Sequence, residues 1–138
     1  MANRIDRGLE SVFRFVGWLF SKSALGVDLG LMAISAGWVL VFIANPEILD
    51  AKTFSLLKKV NREAWVTILT VVAVLHLVGM CSPWRLKALR VFALFASAWV
   101  WLVVGGAFAP HLTTGAPTYF TIGFGALATA LYVSRLRE

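Results

Sequence analysis

Apolar residues along this chain fall into four long blocks, separated by short segments that carry the charges and the turn-forming residues. The first block covers 24–44, and its 21 residues would rise about 31 Å as a helix, close to the thickness of a bilayer's hydrocarbon core. It holds a single charge, Asp28, and ends at Asn45-Pro46, because the residue before a proline leaves helical space. The second block, 64–80, is entered through Arg62, Glu63 and Trp65, and is followed by a tight Pro-containing turn from Cys81 to Lys87. The third, 88–109, carries Arg90 in its first turn; the fourth, 117–133, is shorter and rich in Gly, Thr and Ala. This pattern predicts an all-α membrane protein, a bundle of four transmembrane helices over 24–138.

Two further segments show helical periodicity without the length or apolarity to span. In residues 1–23, Ile5, Leu9, Val12, Phe13, Val16, Leu19 and Phe20 recur at steps of three and four. They fill an arc of roughly 120° on a helical wheel, the width of an amphipathic stripe. Arg4, Arg7, Glu10 and Arg14 lie opposite. An N-terminal amphipathic helix in the interface plane is expected, with Arg4, Arg7, Phe13, Arg14 and Phe20 touching the membrane. Charge interrupts its apolar positions and no small-residue cleavage site follows, so it does not read as a signal peptide. In the connection 45–63, Leu49, Phe54, Leu57 and Val60 could form one face of a short interfacial helix, with Lys52, Lys58 and Lys59 outside it.

Composition supports lipid as the solvent. Hydrophobic residues make up 59% of the 138 residues and charged residues 14%, against about a quarter charged in soluble domains. The formal net charge of +6 lies between apolar blocks, where it sets topology and attracts anionic headgroups rather than nucleic acid. With four spans, Arg4, Arg7, Arg14, Lys22, Arg85, Lys87, Arg90, Arg135 and Arg137 share one side, against Lys52, Lys58, Lys59 and Arg62 on the other. That asymmetry predicts both termini on the cytoplasmic side. The lone Cys81 excludes an intramolecular disulfide and a Cys-based metal site.

Ionisable side chains at membrane depth are costly and mark candidate sites. Asp28 lies one turn into the first span, His76 one turn from the end of the antiparallel second, and Arg90 in the first turn of the third, so all three reach a similar level. An intramembrane polar cluster of Asp28, His76 and Arg90 is expected, acting either as a structural clasp or as a pH-sensitive, proton-handling site. His76 and His111 fall at opposite ends, so no shared metal or haem is expected, and no cofactor or small-molecule substrate is indicated. No phosphate-binding glycine loop, paired catalytic carboxylates or nucleophile–base–orienter set is evident, so an enzyme is not expected.

Small residues mark faces where helices approach closely in lipid. Gly26, Gly30, Ala33 and Gly37 form one such stripe in the first span, and Gly123, Ala126 and Ala130 another in the fourth. Their partners would lie within the chain or in a second copy, a homo-oligomer or larger membrane complex. Trp65, Trp84, Tyr119 and Tyr132 sit near span boundaries as an interfacial belt would, with Trp38, Trp99 and Trp101 deeper.

Several short motifs resemble a group of small four-span membrane proteins encoded by tailed bacteriophages. They are GWVLVF ending the first span, Glu63-Ala64-Trp65 opening the second and Gly79 closing it, Arg90 and Trp99 in the third, and TTGAPTY from Thr113 to Tyr119 before the fourth. The amphipathic N-terminal segment, the small-residue stripes and the absence of catalytic motifs lead to the expectation of a non-enzymatic protein of the host inner membrane, oligomerising in a holin-like or superinfection-exclusion role. The resemblance itself covers about 28–137 and implies a phage or prophage source without an activity. It brings no functional residue with it. Two other expectations follow from the residues alone: a small ion or proton channel or transporter using Asp28 and His76, or an accessory subunit of a larger membrane complex.

Overall fold

A computed structural model describes residues 25–81, 87–111 and 115–135. Four helices run through them: α1 Leu25–Ala44, α2 Arg62–Cys81, α3 Lys87–Phe108 and α4 Gly115–Arg135. Each is long and apolar enough to cross a membrane, and the chain is a multi-pass, all-helical membrane protein. The expected N-terminal amphipathic helix, with Arg4, Arg7, Phe13, Arg14 and Phe20, lies outside the described residues, as does Trp84.

The helices extend past the apolar blocks where capping allows it. The Asn61 side chain accepts the Ala64 N–H at 2.8 Å, which starts α2 at Arg62 rather than Ala64. At α4 the helix begins two residues before Pro117, which sits in the first turn where its missing N–H has no intrahelical partner to lose. The fourth span thereby reaches 21 residues, full bilayer length. Thr67, Thr121 and Thr129 return their hydroxyls to the carbonyls of Glu63, Pro117 and Gly125, each at 2.8 Å, so these exposed polar groups are satisfied within their own helices.

The helix α3 is the centre of the bundle. Arg90, Leu94, Ser97, Trp101, Val104 and Phe108 are buried along it, at steps of three and four that keep them on one face. It packs closely against α4, while α1 packs chiefly against α2 and only loosely against α4. The α3–α4 contact uses glycines on both sides. A Cβ on Gly105 would stand 3.1 Å from the Phe120 ring, and one on Gly123 would stand 2.8 Å from Leu102 Cγ and 3.1 Å from its backbone N. Gly123, Ala126 and Ala130 are buried.

The small-residue stripe of α1 is not a contact face within the chain. Ala33 and Gly37 are exposed, and a Cβ on Gly30 or Gly37 would meet nothing within 4 Å. Gly26 and Gly30 border an open groove toward Thr121, Gly125 and Thr129 of α4. The inward face of α1 is Asp28, Leu31, Ser35 and Phe42, roughly 160° around the helix from the stripe. In lipid, apolar faces compete weakly for burial, so the Asp28 carboxylate decides which way α1 turns.

Between α1 and α2 the chain forms three 3-10 turns, Ile48–Asp50, Lys52–Phe54 and Leu57–Lys59, instead of the single interfacial helix expected. Leu49 and Leu57 are buried and Phe54 half-buried, but Val60 is exposed. Two expected belt residues also turn inward. Trp65 is buried, and the half-buried Tyr119 stacks on Trp101 at 5.7 Å and 8° and on Phe108 at 5.3 Å. Tyr132 and Trp99 face outward.

Gly123→Ala should lower stability by about 1–3 kcal/mol, because backbone as well as side chain must shift. Gly30→Ala should be neutral or slightly stabilising, because alanine favours helix. Thermal unfolding of both variants in detergent tests this, and equal effects would refute the close α3–α4 contact.

Candidate functional site: a sealed polar cluster

At the end of the bundle where α1 and α3 begin and α2 and α4 finish, four side chains meet. Asp28, His76 and Ser97 are completely or almost completely buried, and Arg90 is 7% exposed. Arg90 grips Asp28 Oδ2 with Nε at 3.1 Å and with Nη2 as well. The other carboxylate oxygen, Oδ1, lies 2.9 Å from His76 Nδ1, and His76 Nε2 lies 2.7 Å from Ser97 Oγ. Three helices are thus tied together by one carboxylate. The three residues expected from the sequence come together, and Ser97 joins them.

Local structure explains each placement. Gly79, one turn from His76 on the buried face of α2, is the notch for Arg90: a Cβ there would stand 2.8 Å from Arg90 Cγ. Ser97 lies seven residues after Arg90 on α3, on the same face two turns deeper. Side chains tilt toward the N-terminus of their own helix, which on α3 brings the hydroxyl back toward His76. That seven-residue spacing was the available signal for Ser97. It is also a common spacing for a serine used only for close packing.

The charges fix the proton positions. An ionised carboxylate only accepts hydrogen bonds, and Arg90 is permanently charged. His76 Nδ1–H therefore donates to Asp28, which leaves Nε2 of the neutral ring to accept from the Ser97 hydroxyl. If the ring gains a proton, Nε2 donates instead and the Ser97 oxygen accepts, which requires its own hydrogen to rotate toward another acceptor such as a carbonyl one turn back on α3. The cluster can hold either state without losing the His76–Ser97 bond. With a neutral ring it carries one positive and one negative charge, so its net charge is zero.

Ser97, His76 and Asp28 also reproduce the hydrogen-bond order of a nucleophile, base and orienting carboxylate, a set not evident in the sequence because its members lie on three helices. Acyl transfer needs more: room for a carbonyl about 3 Å from the nucleophile, and donors for its oxygen. Ser97 has no exposed surface and lines neither the small void beside Trp101 nor the grooves along α1. In this conformation the arrangement is a clasp.

His111 falls in the 3-10 turn Ala109–His111 after α3, at the opposite end of the bundle from His76. Among the described residues no three His, Cys, Asp or Glu side chains converge as a metal site would require, and Cys81 is exposed at the end of α2. The fold and site together define a multi-pass membrane bundle with a sealed, charge-compensated cluster at one end. The chain matches no family model, no curated protein and no solved structure.

Arg90→Ala should destabilise the bundle by about 3–5 kcal/mol, because Asp28 remains as a buried, uncompensated charge. The double variant Asp28→Asn/Arg90→Met should recover much of that loss. Thermal midpoints of the three proteins check this; a double variant as weak as Arg90→Ala would show that the ion pair is not the source.

Proposed function

We propose that this chain is a non-enzymatic proton-handling membrane protein, a small channel or transporter whose proton-accepting site is the Asp28–His76–Ser97–Arg90 cluster. One observation carries the reading: His76 is held on both ring nitrogens inside the bundle by groups that tolerate either protonation state. Histidine is the side chain whose charge ordinarily changes between about pH 5 and 8. A proton taken up here adds one net charge to a site shut from water, where uncompensated charge is costly. The result is pressure to loosen the clasp and hand the proton on. In this reading the chain sits in a bacterial inner membrane with both termini cytoplasmic, which places the clasp at the cytoplasmic end.

Proteoliposomes with an internal pH dye and an imposed potassium potential test the proposal. Wild-type protein should carry proton current, and Asp28→Asn and His76→Ala should reduce it at least about tenfold while eluting as the wild type does on size exclusion. Normal current in both variants would end the proposal. The same preparation treated with a fluorophosphonate should leave Ser97 unmodified; covalent labelling there would make the cluster a hydrolase instead.

The outward small-residue face of α1 favours a second reading. Gly30, Ala33 and Gly37 have open space around them and suit close approach by a helix of another copy. On this reading a phage- or prophage-encoded protein self-associates in the host membrane in a holin-like or superinfection-exclusion role. Controlled induction in bacteria separates the two roles: rapid depolarisation and lysis for a holin, viable cells resistant to phage challenge for exclusion. Normal growth and normal phage sensitivity would exclude both.

A further inference from the structure

The end of the bundle opposite the clasp is closed by different means. The 3-10 turns from Ile48 to Lys59 form a strap whose Leu49 and Leu57 side chains are buried in the bundle core. Phe54 meets Trp38 and Phe108 edge-on, at 6.2 and 5.2 Å. A buried hydrogen bond ties the strap to a spanning helix: Trp65 Nε1 donates to the Leu57 carbonyl at 3.0 Å. That carbonyl also accepts the Val60 N–H at 3.1 Å, so both of its lone pairs are used.

Beneath Leu57 lies a void of about 10 Å³, lined by apolar surface of Trp38, Phe42, Leu57, Trp65, Trp101 and Val104. It is at or below the size one water needs, and an apolar cavity stays dry. Between this dry segment and the clasp are two buried polar atoms without a hydrogen-bond partner, Ser35 Oγ and Trp101 Nε1. Ser35 is midway between Asp28 and Phe42, seven residues from each on the same face of α1, and Trp101 is one turn beyond Ser97 on α3. Buried polar groups of this kind call for an explanation, and unpaired ones are natural partners for incoming water.

We propose that the strap is the lid of an axial water path, that the Trp65–Leu57 hydrogen bond is its latch, and that the ligand admitted is water. With the lid down, the aromatic segment excludes water, as hydrophobic constrictions do when they gate by dewetting. With the lid lifted, water enters beneath Leu57, bonds to Trp101 Nε1 and Ser35 Oγ, and reaches Ser97 at the inner face of the clasp. The assignment of protons as what crosses rests on the proton-handling reading; the lid itself does not.

The test uses the full chain in sealed vesicles, with exposed Cys81 replaced by serine and Val104→Cys as reporter under the strap. A membrane-impermeant thiosulfonate is added from the strap side. The reporter should react slowly in the parent. It should react about fivefold faster with Trp65→Phe, the change expected from losing one neutral hydrogen bond, and faster still with Leu57→Ala. A second reporter, Leu94→Cys at the clasp end, should stay protected throughout. Unchanged labelling of Val104→Cys in both lid variants overturns the proposal, and so does equal acceleration at Leu94→Cys, which would mean that the whole bundle loosens. Proton current measured on the same vesicles separates the two readings. Faster labelling without current in any variant keeps the lid and removes the proton reading. Current that depends on Asp28 with labelling insensitive to the lid variants does the reverse.

Discussion

The carboxylate of Asp28 dominates this structure because it is a charge held where no water can solvate it. An ionised group in a low-dielectric interior is tolerated only when opposite charge and hydrogen bonds surround it. Here Arg90 of α3 supplies the charge and His76 of α2 occupies the remaining oxygen. Meeting that one requirement brings α1, α2 and α3 to a common point. It also fixes the rotation of α1, whose other faces are almost equally apolar. The glycine at position 79 and the serine at position 97 follow from it: one makes room for the guanidinium, the other completes the ring of partners around the imidazole.

The opposite half of the bundle is held differently. Trp38, Phe42, Trp101, Phe108 and Tyr119 interlock through ring contacts between 5.3 and 6.0 Å, and the strap inserts Leu57 above them. One end is thus closed by electrostatics and the other by dry packing. On the reading proposed above, proton uptake would act on the clasp and hydration on the aromatic segment, so the two ends would differ in what they respond to. Cooperation between them requires a mobile element. In the proposal above the strap takes that role, being built of short 3-10 turns rather than a continuous helix.

The connection between α3 and α4 contrasts with the seam between α1 and α4. Gly105 and Gly123 bring the first pair within direct side-chain-to-backbone contact. Across the second, glycines on both helices border an open groove. The same residue type therefore serves as close contact in one place and as uncommitted surface in another. The difference lies in which face the rest of the structure turns inward.

Reading the chain alone was enough for the number of spans, their approximate limits and the convergence of Asp28, His76 and Arg90. Length and hydropathy report directly on the solvent a helix can occupy, and ionisable residues at equal depth on adjacent helices are constrained to find one another. The helix ends shifted by one or two residues because Asn61 caps α2, and Pro117 is tolerated inside the first turn of α4. Ser97, the notch at Gly79, the inward turn of Trp65 and Tyr119 and the outward turn of the α1 small-residue stripe were decided only by the tertiary structure. Each depends on helix rotation. In a bilayer, hydrophobicity is uninformative about rotation because both lipid and core are apolar. What the local sequence leaves undetermined here is the direction in which each span faces, and the buried charge settles that only once all of its partners are in place.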